Sequence, residues 1–244
     1  MKPWLVGLLC LMFADVGFSA DRPAQPNLVL ILADDLGWQD VKIYDLMETN
    51  VVYGFGGTNV FETPYLDALA SEGVLFTQAY SPAPVCAPSR AAILSGKHPA
   101  RLGITSVAGG TCPQPLNAAS RMAGAYTSLR LEDAETTIPE ILRPNGYFNG
   151  HIGKWHIDST PIAAGFDRSY YLKDQSRFFN PTTHHLDDKA LPPVEKDTDF
   201  YATTELANRT LAFLSEHEEK HHEKPFFTYL AFAAPHFPLH ALPS

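Results

Sequence analysis

The 244-residue chain has little cysteine, few positive charges and, after its first 20 residues, no apolar run long enough to cross a membrane. Its three cysteines form no C-x-x-C pair, so the usual signal of a zinc or redox motif is missing. Lys and Arg number 18 against 27 Asp and Glu, giving a formal net charge of -9, and they are scattered. This balance argues against a nucleic-acid-binding surface. What remains is a globular composition with 45% hydrophobic residues and no internal repeat.

The first 20 residues have the pattern of a secretory signal peptide. Lys2 precedes a short apolar core at 4–13, and small residues at Ser19 and Ala20 provide a cleavage region. We therefore expect an exported protein, periplasmic or secreted. Residues 21–244 are enough for one sizeable core.

The run at 27–33 is continuously apolar, which predicts a strand buried on both faces of a parallel sheet. Asp34 and Asp35 follow it directly. In open α/β sheets, sites gather at the carboxyl ends of strands, where two carboxylates could bind a hard cation such as calcium. Taken alone, a pair of aspartates is more often a solvated strand end than a metal site.

A helix start is predicted at Cys86-Ala87-Pro88-Ser89-Arg90. Pro88 suits the first turn, and Gly96 is a candidate C-cap. Cys86 then lies just before a helix N-terminus, where free N–H groups favour an anion, and Arg90 shares its face. The alternative for Cys86 is a small buried hydrophobe.

Two more polar groups follow predicted strands. The strand at 147–152 leads to Lys154 and His156, which point the same way if the chain stays extended. The strand at 225–232 leads to His236, in Ala-Pro-His-Phe-Pro. A cation and imidazoles at one sheet edge suit an anionic substrate. The alternatives are a surface lysine, a packed histidine and a turn histidine.

The remaining segments alternate between helix and strand signals, which is typical of an α/β protein. Expected are helices at 64–72, 138–143 and 203–219 and a strand at 74–80. His184 and His185 have no second ligand pair at useful spacing, so we interpret them as loop residues. Segments 41–60 and 104–135 are predicted loops that select the substrate or simply decorate the surface.

Five ordered segments together resemble the sulfatase family: N-L-V-L-I-L-A-D-D-L-G, T-P-Y-L-D-A-L-A, C-x-P-S-R with L-S-G, G-K-W-H and A-P-H-x-P. The resemblance implies the alkaline-phosphatase-like α/β sandwich with a mostly parallel central sheet. It covers essentially all of 21–244, as an N-terminal portion of the catalytic domain. The activity it implies is hydrolysis of sulfate monoesters on a sulfated small molecule or saccharide.

The resemblance also implies the nucleophile and the cofactor. Cys86 is expected to be oxidised by a formylglycine-generating enzyme to Cα-formylglycine, whose hydrate attacks sulfur. A calcium ion is expected on Asp34, Asp35 and the converted Cys86. Such an oxidised Cys86 cannot form a disulfide with Cys112, the other cysteine after the signal segment.

The other implied site residues handle charge and protons. Arg90 and Lys154 are expected to stabilise the aldehyde hydrate and the sulfate. His156 is expected to remove a proton from the hydrate and so expel sulfate, and His236 to bind the ester and neutralise the leaving oxygen.

Two other functions fit the same residues: a phosphodiester or phosphonate-ester hydrolase of the same superfamily, and a non-catalytic secreted binding protein. The family's later metal ligands and second lysine normally follow the segment that resembles 234–238. Only six residues follow Pro238 here. We therefore expect a truncated chain with an unpaired sheet edge, weak calcium binding and little or no hydrolysis.

Overall fold

The computed structural model describes residues 25–44, 61–107, 110–111, 126–174 and 176–242. The predicted signal peptide, Cys112, most of the predicted loop 41–60 and half of the predicted loop 104–135 lie outside these residues. The strands are β1 (Leu28–Leu32), β2 (Gly110–Thr111), β3 (Tyr126–Thr127), β4 (Phe148–Lys154), β5 (Arg168–Leu172), β6 (His184–Leu186), β7 (Lys189–Leu191) and β8 (Phe226–Ala231). The helices are α1 (Pro64–Glu72), α2 (Cys86–Ser95), α3 (Pro99–Leu102), α4 (Ile138–Leu142) and α5 (Ala202–Lys220).

The main sheet has six strands in the order β1-β8-β4-β5-β6-β7. The first four are parallel to one another, and β6 and β7 add an antiparallel hairpin at one side. Because parallel strands end at the same edge, the residues that follow β1, β4 and β8 are brought together. The order confirms the predicted mostly parallel sheet.

Helices cover both faces of the sheet. On one face, Leu94 of α2 packs with Trp155, Phe166 and Tyr229. On the other, Leu206 and Phe213 of α5 belong to a second cluster with Phe148, Ile152, Tyr170 and Leu230. This layering confirms the predicted α/β sandwich.

Local signals explain several element ends. Gly96 has a φ of 67° and ends α2 in the left-handed conformation that favours glycine. Thr137 and Glu140 form a reciprocal capping box at the start of α4. Thr63 and Pro64 begin α1 where the sequence predicts, although the Thr63 side chain does not cap the helix.

Three local predictions are wrong. β1 is not buried on both faces, because it is an edge strand that pairs only with β8. Val29 and Ile31, which point to the same face, are each 56% exposed, and no described element covers them. Segment 74–80 forms no strand, since it is exposed and has no described partner strand. His184 and His185 lie in β6 rather than in a loop.

No helix among the described residues is long and apolar enough to span a bilayer.

Candidate active site

The N-terminus of α2 places Cys86 at the carboxyl edge of the sheet. Cys86 is the first residue of the helix rather than the residue before it, and it is half-buried. Ser89 ties the preceding loop to the helix, because its hydroxyl oxygen lies 2.8 Å from the carbonyl of Ala83 and 2.9 Å from that of Val85, which share its one proton. The loop that presents Cys86 is therefore fixed by its own helix.

Asp34, two residues after the end of β1, is the centre of a buried ion-pair network. One carboxylate oxygen accepts from Arg90 Nη2 at 3.0 Å, and the other is paired with Lys154 Nζ. Arg90 Nη1 also donates to the carbonyl of Lys154 at 2.6 Å. The three side chains are 6%, 1% and 0% exposed. Burial alone would raise the pKa of Asp34, but the two cations outweigh it and lower the pKa.

The direction predicted for Lys154 and His156 does not hold, because the chain is not extended at His156. His156 has a φ of 61°, and the strand ends at Lys154. Lys154 turns inward to Asp34, whereas His156 stays half-buried. Burial, with Lys154 and Arg90, lowers the pKa of His156. The lowered pKa keeps the imidazole neutral near pH 7, and the neutral ring is the form that can accept a proton.

His236 approaches from the segment after β8. The Nδ1 of its ring lies 2.5 Å from the carbonyl of Phe237, and its Nε2 lies 3.7 Å from a carboxylate oxygen of Asp35. The backbone N–H of Asp34 donates to the carbonyl of Ala234 at 3.1 Å, which joins this segment to the end of β1. Asp35 itself is exposed and has a φ of 62°.

One ligand atom each of Asp34, Cys86 and His236 lies within 4.8 Å of the other two. The Cys86 side of this group opens into a cavity of about 350 Å³ that Asp35, Ser89 and Arg90 also line. All seven residues that the sequence predicts for the site therefore lie at the same edge of the sheet. Lys154 reaches Asp34 rather than the cavity, and His156 belongs to neither the three-atom group nor the cavity lining.

The donor atoms decide whether these residues fit calcium. Calcium takes about six to eight oxygen ligands. The group offers one carboxylate, one thiol and one imidazole, and Asp35 adds a carboxylate nearby. As it stands, with Cys86 as a thiol, this set does not fit calcium.

Two buried residues behind Arg90 are missed by the sequence analysis. His151 and Tyr229 face each other across β4 and β8, with ring centroids 5.4 Å apart. Burial raises the pKa of Tyr229, and Arg90 partly offsets that rise. Burial, followed by Arg90, lowers the pKa of His151 to about 3. Both residues sit inside buried strands far from Arg90 in sequence, so no local signal marks them.

The comparisons of this chain with family models and with known proteins agree with one another. The sulfatase family model matches residues 26–244. The chain is 34% identical over 249 residues to human N-acetylgalactosamine-6-sulfatase, covering 91% of this chain and 42% of that protein. It is 34% identical over 187 residues to mouse steryl-sulfatase, covering 68% of this chain and 26% of that protein. The chain thus spans less than half the length of these curated relatives.

Solved structures share the fold. One, a protein in complex with its substrate D-glucosamine-2-N,6-O-disulfate, has a TM-score of 0.66 and 29% identity, covering 87% of this chain and 35% of that chain. Another, Ps i-CgsB in complex with k-i-k-neocarrahexaose, has a TM-score of 0.64 and 29% identity, covering 89% of this chain and 47% of that chain.

Proposed function

Because the chain belongs to the sulfatase family, we propose that it cleaves sulfate monoesters with an oxidised Cys86 as the nucleophile. The observation that carries the proposal is the ion-pair network beside Cys86. It contains two cations, Arg90 and Lys154, and one carboxylate, Asp34, so it holds one net positive charge out of water. A sulfate monoester carries one negative charge and matches it.

The chain's own residues supply binding and proton transfer in this proposal. The free N–H groups at the start of α2 and the Arg90 guanidinium attract the sulfate oxygens. Lys154 keeps Asp34 ionised and the network in place. His156 accepts the proton from the nucleophile, and His236 neutralises the leaving oxygen. Oxidation of Cys86 to formylglycine supplies a carbonyl carbon whose hydrate is the nucleophile.

Calcium is the proposed metal for the converted chain only. Oxidation replaces the sulfur of Cys86 by oxygen, so the local donors become the oxygens of Asp34, Asp35 and residue 86. That change is in the direction that calcium prefers. Calcium takes about six to eight oxygens, so these three residues supply only part of its ligand shell.

A sulfated saccharide is the proposed substrate. One similar solved structure contains a disulfated glucosamine, and another a neocarrahexaose. The segments at 41–60 and 104–135 are the proposed selectors of the sugar. Equal activity on every sulfated saccharide after both segments are shortened would remove that role.

Export and maturation complete the proposal. Residues 1–20 would direct the chain to the periplasm or the outside of the cell, and a formylglycine-generating enzyme would act on Cys86. Mass spectrometry of the mature N-terminus tests the first step, with cleavage near Ser19 or Ala20 as the expected result.

The test is release of sulfate by the 244-residue chain co-expressed with a formylglycine-generating enzyme, with calcium present. We expect at most slow turnover of a sulfated saccharide, because Asp34, Asp35 and residue 86 supply only part of a calcium ligand shell, and we expect none from Cys86→Ala. Cys112→Ser is the matched control, since it removes a thiol but not the nucleophile, and it should keep the activity.

The substrate panel distinguishes the alternatives. Matched aryl sulfate and aryl phosphate esters are compared, and faster cleavage of the phosphate would identify a phosphoester hydrolase instead. A binding protein predicts that converted chain and Cys86→Ala bind a sulfated saccharide equally while neither cleaves it. Either outcome contradicts the proposal.

A further inference from the structure

Before oxidation, the candidate site presents a donor set that is unlike that of an oxygen-only calcium site. Cys86 offers a thiol sulfur, His236 an imidazole nitrogen and Asp34 a carboxylate oxygen, all within 4.8 Å of one another. Sulfur, nitrogen and a single carboxylate are the ligands that zinc takes in proteins, usually as four-coordinate tetrahedra. The unconverted site thus suits a metal ion that is intermediate between hard and soft, such as zinc.

His236 is oriented as a metal-ligating histidine. Its Nδ1 lies 2.5 Å from the carbonyl of Phe237, and because a carbonyl only accepts, Nδ1 carries a proton. In the neutral ring, Nε2 then carries a lone pair, and it lies 3.7 Å from a carboxylate oxygen of Asp35. Two acceptors facing each other are stabilised by a cation between them or beside them. A backbone carbonyl that fixes the other ring nitrogen is the usual support of a metal-bound histidine.

The distances allow one ion. Bonds to zinc are about 2.0–2.3 Å, so ligand atoms on a tetrahedral ion lie roughly 3.5 Å apart. Closing the group from at most 4.8 Å requires small side-chain rotations. Cys86 and His236 are only half-buried and can make them, whereas Asp34 stays fixed. Asp35, next to His236, is placed to supply a fourth ligand.

Local charge makes the thiolate essential. Arg90 and Lys154 already contact Asp34, and their positive charges oppose a further cation. The thiol loses its proton to solvent as it binds the metal, and this new negative charge offsets the opposition. The helix N-terminus at Cys86 also favours the anion. Replacing sulfur by a neutral hydroxyl should therefore abolish binding rather than weaken it.

We propose that the unconverted chain binds one zinc ion through Cys86, His236 and Asp34, and that oxidation of Cys86 destroys this site. The state of one side chain then decides which class of metal the pocket takes: a borderline ion with the thiol, a hard ion with the oxygen donor. Zinc binding by the unconverted chain does not rest on the proposed function, whereas loss of the site on oxidation rests on the proposed conversion of Cys86.

Cobalt is the probe, because a thiolate bound to Co²⁺ gives a charge-transfer absorption that zinc lacks. The parent is the full chain with Cys10→Ser and Cys112→Ser, so that Cys86 is the one thiol, produced without a formylglycine-generating enzyme. We expect one Co²⁺ per chain, the thiolate band, its loss on adding Zn²⁺, and release of one proton per ion. Millimolar Ca²⁺ should leave the band unchanged.

Variants identify the ligands. Cys86→Ser should lose the band completely, and His236→Gln should weaken zinc at least ~10–100-fold in competition with a chromogenic chelator. His222→Gln, an exposed histidine elsewhere, is the matched control and should bind like the parent. Circular dichroism confirms that each variant is folded, and the converted chain should give no band.

Three results would overturn the proposal: a band that persists in Cys86→Ser, displacement of Co²⁺ by an equal concentration of Ca²⁺, or no binding by a folded parent. None of them bears on sulfate release by the converted chain, and failure of sulfate release does not bear on zinc binding.

Discussion

Two strands of the same sheet deliver the site in different ways. All seven residues of β4 are buried, and the strand has neighbours on both sides. β1 lies at the edge, and its residues Val29 and Ile31 are more than half exposed. Yet each leads to one member of the buried ion-pair network: β4 ends on Lys154, and Asp34 lies two residues after the end of β1.

The difference shows what holds each half of the site. Lys154 is fixed by the core that surrounds β4. Asp34 is fixed by its bonds to Arg90 and Lys154, by pairing of β1 with β8 and by its backbone bond to Ala234. The ion pairs therefore bind the edge strand to the centre as well as setting the charge of the site.

The largest effect is expected from Asp34→Asn, which removes the centre of the network. Two buried cations then remain without a counter-charge, so we expect the free energy of unfolding to fall by about 3–5 kcal/mol. Urea unfolding followed by circular dichroism measures it. The control is Asp133→Asn, which breaks an exposed pair with Arg130 and should cost under about 1 kcal/mol. Equal losses would show that the network does not hold the edge strand.

A smaller effect compares the two strands directly. Ile152 in β4 is 3% exposed, so Ile152→Ala should lower the free energy of unfolding by about 2–5 kcal/mol. Ile31 in β1 is 56% exposed, and the same substitution there should cost about 1 kcal/mol or less. A large loss at Ile31 in urea unfolding would mean that its exposed face is covered in solution.

The smallest effect is a pH dependence from the centre of the sheet. Burial lowers the pKa of His151 to about 3, so between pH 6.5 and 3 the unfolded chain binds one more proton than the native chain. Above about pH 6.5 His151 is neutral in both states and the free energy of unfolding is unaffected. As the pH drops below 6.5, protonation of the unfolded chain lowers the free energy of unfolding, by about 2 kcal/mol at pH 5. His151→Leu should flatten this part of the stability curve, and exposed His222→Gln should not. If the slope of the free energy of unfolding against pH were unchanged in His151→Leu, buried His151 would not be the source of this pH dependence.

The positions of the site residues were predictable because they depend on local signals. An apolar run followed by Asp34, a helix start at Cys86 and strand ends near Lys154 and His236 all place polar groups at one sheet edge. Parallel strands then bring these groups together whatever their distance in sequence.

The contacts of those residues were not predictable. The sequence predicted no contact of Lys154 or Arg90 with Asp34, yet both bond to Asp34, which is 120 and 56 residues away. Such a pairing depends on packing depth, which a single sequence does not show. The sequence did carry a signal for the β6–β7 hairpin, namely the Asp187-Asp188 pair. These residues form its two-residue turn, where both adopt the positive φ that aspartate tolerates better than most residues.

The most direct test of the account is the chemical state of Cys86. The chain is co-expressed with a formylglycine-generating enzyme and digested, and the peptide that carries Cys86 is analysed by mass spectrometry and by an aldehyde-specific hydrazide label. We predict an aldehyde at Cys86 and an unmodified thiol at Cys112. An intact thiol at Cys86, from cells in which a control sulfatase is converted, would contradict the proposed function at its first step.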